Sequence, residues 1–265
     1  MSKEVNDGYG LALSGGAVLG AAHIGVLKAI EENNIKISSI AGTSIGAIVA
    51  ALFAFGKNAQ EIEEIAGAIN FKSFFSISPT KLGLFSNIKI SKFIHEHLGE
   101  VKIEDALIPL SIVATDIENL QKVVLTKGDI ASALMASCAI PGIFSPVEIE
   151  SELLVDGGLV ENAPLMTLKE QGVEKTITVC LASKHTHKRP KNLIEVILNS
   201  HSCMLQMLHK EFCDTTDYII EPDLKEFNVL KTTEIQAIMD VGHKEAKKVL
   251  ANLEEKNPFD YNGVC

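Results

Sequence analysis

Near its N-terminus the chain writes one local pattern twice: a short apolar segment, a turn built on small residues, and a helix. Tyr9–Leu13 is apolar and stops at Ser14-Gly15-Gly16, after which GAAHIGVLKAIEENN places Ile24, Leu27, Ala29 and Ile30 on one helical face. Ile35–Ile40 is the second apolar segment. It runs into Gly42-Thr43-Ser44-Ile45-Gly46 and leaves through an apolar run that ends at Gly56. Asn58 is placed to cap a third helix, whose Ile62, Ile65, Ala66 and Ile69 recur at helical spacing. Two strand–turn–helix units in succession predict a mostly parallel central sheet with helices on its faces.

The rest of the chain extends that plan. Strands are predicted at Leu110–Ala114, Lys122–Leu125, Leu153–Val155 and Lys175–Leu181, and two long helices follow. In the first, positions 193, 196, 197, 204, 205 and 208 form one apolar face; in the second, Thr233 and Gln236 have capping-box spacing. No repeat or linker interrupts the 265 residues, so residues 1–265 are expected to be one domain, with helices 191–254 packed on it. Residues 71–88 depart from the pattern. Four of the eleven phenylalanines fall between Phe71 and Phe85, among serines, a proline and a glycine, which suits either core packing or a lid facing lipid.

Bulk properties narrow the function classes. A formal charge of −10 argues against nucleic-acid binding, which needs a basic face. The run Ile45–Gly56 is too short to span a bilayer, and the polar start MSKEVNDGYG lacks the apolar stretch of a signal peptide. Five cysteines with no C-x-x-C spacing suggest neither a disulfide framework nor a zinc site. A cytoplasmic setting is expected, with at most peripheral contact with a membrane. Lys184, Lys188, Arg189 and Lys191 form one local basic cluster, read as a solvated loop or as a patch for phosphate headgroups.

Three segments could carry chemistry. Ser44 lies between two glycines where a strand turns into a helix: it is either a helix cap or a nucleophile on a sharp elbow. Gly15 and Gly16 can aim backbone N–H groups at an anion, or they form a plain tight turn. Dinucleotide binding is disfavoured, because position 17 is alanine where G-x-G-x-x-G needs glycine, and no acidic residue follows the second strand. A serine nucleophile needs a base. His23, His209 and His243 sit in helical contexts, and His201 reads as a satisfied core histidine. His185 and His187, in SKHTHKRP, lie in a more plausible loop, although a charged solvated turn explains that loop equally well. Asp156 leaves an apolar strand and is followed by Gly157 and Gly158, so another group can approach its carboxylate closely. The competing reading is an ordinary Asp-Gly turn.

In this order, the glycine turn, AGTSIGAIVAALFAFG, VATD at 113–116, ASCAIPGIFSPV at 136–147 and DGGLVENAPL at 156–165 resemble the patatin-like phospholipase family. The resemblance covers roughly Gly10 to Leu181. It implies an α/β/α sandwich and a Ser-Asp dyad, with Ser44 as nucleophile and Asp156 as base. It also implies an oxyanion hole from the amides of Gly15, Gly16 and Ala17, and lipid or fatty-acyl esters as substrates without metal or cofactor. Asp116 and Ser137 are read as structural. The first turn departs from the family's G-G-G-x-(Arg/Lys)-G at Ala17 and at Leu19, which removes a cation. Two alternatives stand beside ester hydrolysis: an acyltransferase or thioesterase working through the same acyl-serine, and a non-catalytic lipid-binding regulator.

Overall fold

The computed structural model describes residues 8–68, 76–77, 81–181, 189–212, 216–227 and 232–255. The first half contains β1 (Tyr9–Leu13), α1 (Ala21–Glu32), β2 (Ile37–Thr43), α2 (Ile45–Ala54) and α3 (Ala59–Ala68). It continues through β3 (Ser76–Ile77), β4 (Gly83–Ser86), α4 (Ile88–Leu98), β5 (Leu110–Asp116), β6 (Gln121–Leu125) and α5 (Ile130–Ser137). The second half contains β7 (Gly142–Phe144), β8 (Val147–Ile149), β9 (Glu152–Asp156), α6 (Leu165–Glu170), β10 (Thr176–Val179), α7 (Leu193–Phe212), β11 (Tyr218–Ile220) and α8 (Ile235–Glu255).

Eight strands form one mixed sheet in the order β11-β10-β1-β2-β5-β9-β8, with β6 also pairing with β5. The run from β11 to β5 is parallel, whereas β6, β9 and β8 join antiparallel. Strand alternation sorts side chains to the two faces. Leu11, Leu13 and Ile40 enter the main core with α1, α2 and α8, while Ala12 and Ala41 point the other way, against Leu168 of α6. Small side chains on that second face let α6 lie close to the sheet. Helices therefore cover both faces, giving the expected α/β/α arrangement. Among the described residues, no helix is long and apolar enough to cross a membrane.

A separate three-stranded sheet, β3-β4-β7, sits beside the main one. Phe85 of β4 meets Phe144 of β7 with ring centroids 6.3 Å apart, and Ile194, Ile197 and Leu198 of α7 pack on the same cluster. The expected apolar face of α7 needs correction. Leu193 and Val196 are exposed, and the packed side carries 194 and 198 together with the expected 197 and 205. Phe85 packs into this satellite core, and Phe71, Phe74 and Phe75 of the suggested lid lie outside the described residues.

Candidate active site

Ser44 stands at the β2-to-α2 turn with φ 54° and ψ −126°, and its side chain makes no capping hydrogen bond. The cap reading therefore gives no account of it. The flanking glycines have a steric reason. A Cβ on Gly42 would run into the backbone of Ala47, and one on Gly46 into the carbonyls of Leu13 and Ser14. The elbow is thus wedged between its own helix and the end of β1. From α5, Ser137 Oγ accepts the Ser44 N–H at 2.8 Å and donates to the Val113 carbonyl at 2.7 Å. Ser137 is fully buried, so this relay fixes the nucleophile candidate's backbone to β5. It is structural, as expected, and it acts on Ser44 directly, which its helical setting gave no reason to foresee.

Asp156 ends β9, in register with Ala114 of β5, and is 1% exposed. Its backbone is held by its own N–H donating to Ala139 O at 3.0 Å and by Thr115 Oγ1 donating to its carbonyl at 2.9 Å. One carboxylate oxygen, Oδ1, accepts the Gly158 N–H at 2.7 Å. The other, Oδ2, is buried without a hydrogen-bond partner. Burial pushes the carboxyl above the usual range, opposed by the charge of His201, the Gly158 amide and the Ser44 hydroxyl. Ser44 and Asp156, far apart in sequence, are therefore brought together. The buried Cys138 thiol sits beside both: burial and the Asp156 charge push it up, and the Ser44 hydroxyl pulls it down.

The glycine turn lies against this pair. A Cβ on Gly15 would come 3.3 Å from Ser44 Cβ and 2.7 Å from Asn162 Oδ1. The Gly15 N–H is already engaged by Asn162, donating to its carbonyl at 3.2 Å and to Oδ1 at 3.1 Å. Gly16 and Ala17 are more open, and among the described residues neither amide donates to a protein acceptor. Ala17 has φ 50°, so the turn does need a left-handed residue where the chain departs from glycine. Behind it, His23 Nε2 donates to the Ser14 carbonyl at 2.7 Å, and complete burial lowers its pKa to about 4, so the ring is neutral at pH 7. Leu19, at the other departure, is a core side chain.

A third group of contacts clamps the segment after Asp156. Thr43 Oγ1 donates to the Glu161 carbonyl at 2.9 Å. The buried Glu161 carboxylate accepts from Thr167 N, Thr167 Oγ1 and Lys122 Nζ at 3.1, 2.7 and 3.0 Å. Asp116 accepts from the Glu118 and Asn119 amides and from the Asn119 side chain, which makes it a turn-forming residue as expected.

The remaining histidines divide. His243 pairs with Glu32 at 2.9 Å, and His185 and His187, with Lys184 and Lys188, lie outside the described residues. His201 is not the satisfied core histidine that its helix suggested. Its Nε2 is buried without a hydrogen bond and stands 3.9 Å from Asp156 Oδ1. His201 belongs to no local motif, and ASCAIPGIFSPV, which contains Ser137, gives no sign of its contact with Ser44. Only the tertiary fold brings them to the site.

Known proteins resemble this chain in sequence and in fold. An uncharacterised NTE family protein of Mycobacterium tuberculosis is 34% identical over 174 residues, covering 64% of this chain and 48% of its own. Neuropathy target esterase sws of Drosophila melanogaster is 32% identical over 186 residues, covering 67% of this chain and 13% of its own. The chain thus spans at most about half the length of these curated relatives. Among solved structures, VipD from Legionella pneumophila aligns with TM-score 0.62 at 14% identity, covering 93% of this chain and 67% of its own. The type III effector protein ExoU aligns at 0.54 and 16%, covering 93% and 53%. These two likenesses speak to the fold alone. The family model described as patatin-like phospholipase matches residues 11–169, more than half of the chain, and the chain belongs to that family.

Proposed function

We propose that this chain is a serine acyl hydrolase that cleaves carboxylic esters of lipids through an acyl-enzyme on Ser44. The observation that carries the reading is a hydroxyl on a strained elbow beside a buried carboxylate, one of whose oxygens has no partner. Asp156 takes the Ser44 proton as Oγ attacks the ester carbonyl. The developing oxyanion is received by the Gly16 and Ala17 amides, while Asn162, by holding the Gly15 amide, sets the loop's position. Asp156 then returns the proton to the departing alcohol, and in the second half it activates water to hydrolyse the acyl-serine. A carboxylate raised by burial suits both proton transfers, because a general base works best with a pKa near the operating pH.

This reading treats residues 1–265 as one cytoplasmic domain that meets lipid at a membrane surface. Packing of α8 on α1 supports including the C-terminal helices. The test is release of fatty acid from mixed phospholipid and lysophospholipid vesicles, alongside hydrolysis of p-nitrophenyl butyrate. Wild-type protein should turn over both substrates, and Ser44→Ala should lose about a thousandfold or more of the rate. Equal rates in the two proteins would reject the proposal. Acyl transfer to a thiol or alcohol acceptor in preference to water would move the reading to an acyltransferase.

A further inference from the structure

We propose that His201 is a positioning residue for Asp156: it presents an Nε2–H to Oδ1 that stabilises the ionised carboxylate, extending the Ser44–Asp156 pair by an outer histidine. The inference rests on the reading of that pair given above. Its geometry comes from α7, which begins after the segment that matches the family model.

Helix α7 packs directly on the turn that follows Asp156. A Cβ on Gly158 would meet Leu205 Cδ2 at 2.7 Å and His201 Cε1 at 3.5 Å, so the glycine makes room for this helix face. Leu205 is one helical turn beyond His201 and is buried, and the His201 side chain is 11% exposed. The imidazole therefore has its position set by packing, with Nε2 3.9 Å from Oδ1 and no hydrogen-bond partner. Leaving a buried nitrogen unpaired is unfavourable. A core site under no other demand would hold an apolar side chain there. The separation is longer than a hydrogen bond, and such contacts tighten when a site is occupied. Of the ring's forms, those with a proton on Nε2 put N–H toward the carboxylate; the remaining tautomer would aim a lone pair at it.

Asp156 needs such a donor. Buried as it is, the carboxyl would stay protonated to higher pH, and a protonated carboxyl cannot take the serine proton. The Gly158 amide serves the same oxygen from the backbone side. Among the described residues, β7 and the 157–159 turn, which pack on α7, carry no titratable side chain. Asp156, with Cys138 next to it, is what the imidazole faces. Within α7 the nearest acid to the N-terminal side, Glu195, is tied to the Lys191 amide and to Asn192.

The test is the pH dependence of kcat/KM for p-nitrophenyl butyrate in wild type, His201→Leu and His201→Gln. The leucine variant removes the N–H, and its acid limb should move up by about one pH unit, with activity above the limb within about threefold of wild type. Glutamine keeps an N–H near the same place, and its limb should stay within about 0.3 unit of wild type. His201→Met replaces the leucine variant if that one fails to fold. A limb that coincides with wild type in the apolar variant would overturn the proposal. So would equal displacement in the apolar and glutamine variants, since the N–H would then not be the cause. Wild-type protein whose activity survives Ser44→Ala would instead defeat the hydrolase reading itself.

Discussion

Ser44 occupies a backbone region that an isolated serine avoids, and strain of this kind costs about 1–3 kcal/mol. The surroundings over-determine it: Ser137 holds the amide, and the Gly42 and Gly46 contacts leave the turn no wider path. Ala17 adds a smaller left-handed cost at φ 50°. His23 and Asp156 then load the site with opposite dependences on pH. His23 folds with a pKa of about 4 against 6.5 unfolded, so between these values the unfolded chain binds more protons. Its contribution to stability is complete above pH 6.5 and is lost as pH falls toward 4, by about 3 kcal/mol in all. Asp156, raised by burial, works the other way: stability is lost as pH rises through its folded value. In urea unfolding at stepped pH, wild type should lose stability relative to His23→Gln between pH 6.5 and 4. Glutamine keeps a donor for the Ser14 carbonyl but does not titrate. Parallel curves for the two proteins would remove His23 from this role.

Helices α1 and α8 cross so closely that glycine is required on both. A Cβ on Gly25 would strike the Met239 carbonyl, and one on Gly242 the Ala22 carbonyl. Alanine is the better helix former by about 1 kcal/mol, yet overpacking costs about 1–3 kcal/mol, so the steric term should win. Gly242→Ala is therefore expected to lower Tm by about 2–8 °C in a thermal scan, and an unchanged or higher Tm would show that the contact can relax. Elements with strong local signals were legible in sequence. Tyr9–Leu13 is β1 residue for residue, and Asn58 forms the expected cap, its Oδ1 taking the Glu61 N–H while Glu61 returns to the Asn58 N–H. The hairpin of β8 and β9 was not legible. Its turn residues Glu150 and Ser151 have φ 50° and 70° without a glycine or asparagine to announce it. On α7 the packed face holds the expected 197 and 205 but takes 194 in place of 193, because 193/196 and 194/197 are both apolar and periodicity alone cannot choose between adjacent stripes. In α8, Gln236 reaches forward to Asp240 instead of back as the capping box requires.

Over the whole molecule, the sheet is what assembles the site. Parallel strands β1 and β2 end side by side, placing the 14–17 turn against Ser44, and antiparallel β9 delivers Asp156 from the far side of β5. Parallel sheets commonly form their sites at such carboxyl ends. Ser44 and Asp156 were legible because each needs glycine neighbours for close approach, and glycine leaves a mark in sequence. Ser137 and Asn162 lie within the segments ASCAIPGIFSPV and DGGLVENAPL, but their contacts to Ser44 N and Gly15 N, like that of His201 to Asp156, span more than 40 residues of chain and have no local signal. The proposed function requires one hydroxyl in this assembly to be a nucleophile. Peptide mass mapping after treatment with a fluorophosphonate tests it most directly. The phosphonyl group should be found on Ser44, with labelling abolished in Ser44→Ala and slowed at least about a hundredfold in Asp156→Asn. Labelling that persists unchanged in Ser44→Ala, on Ser137 or any other residue, would contradict the account.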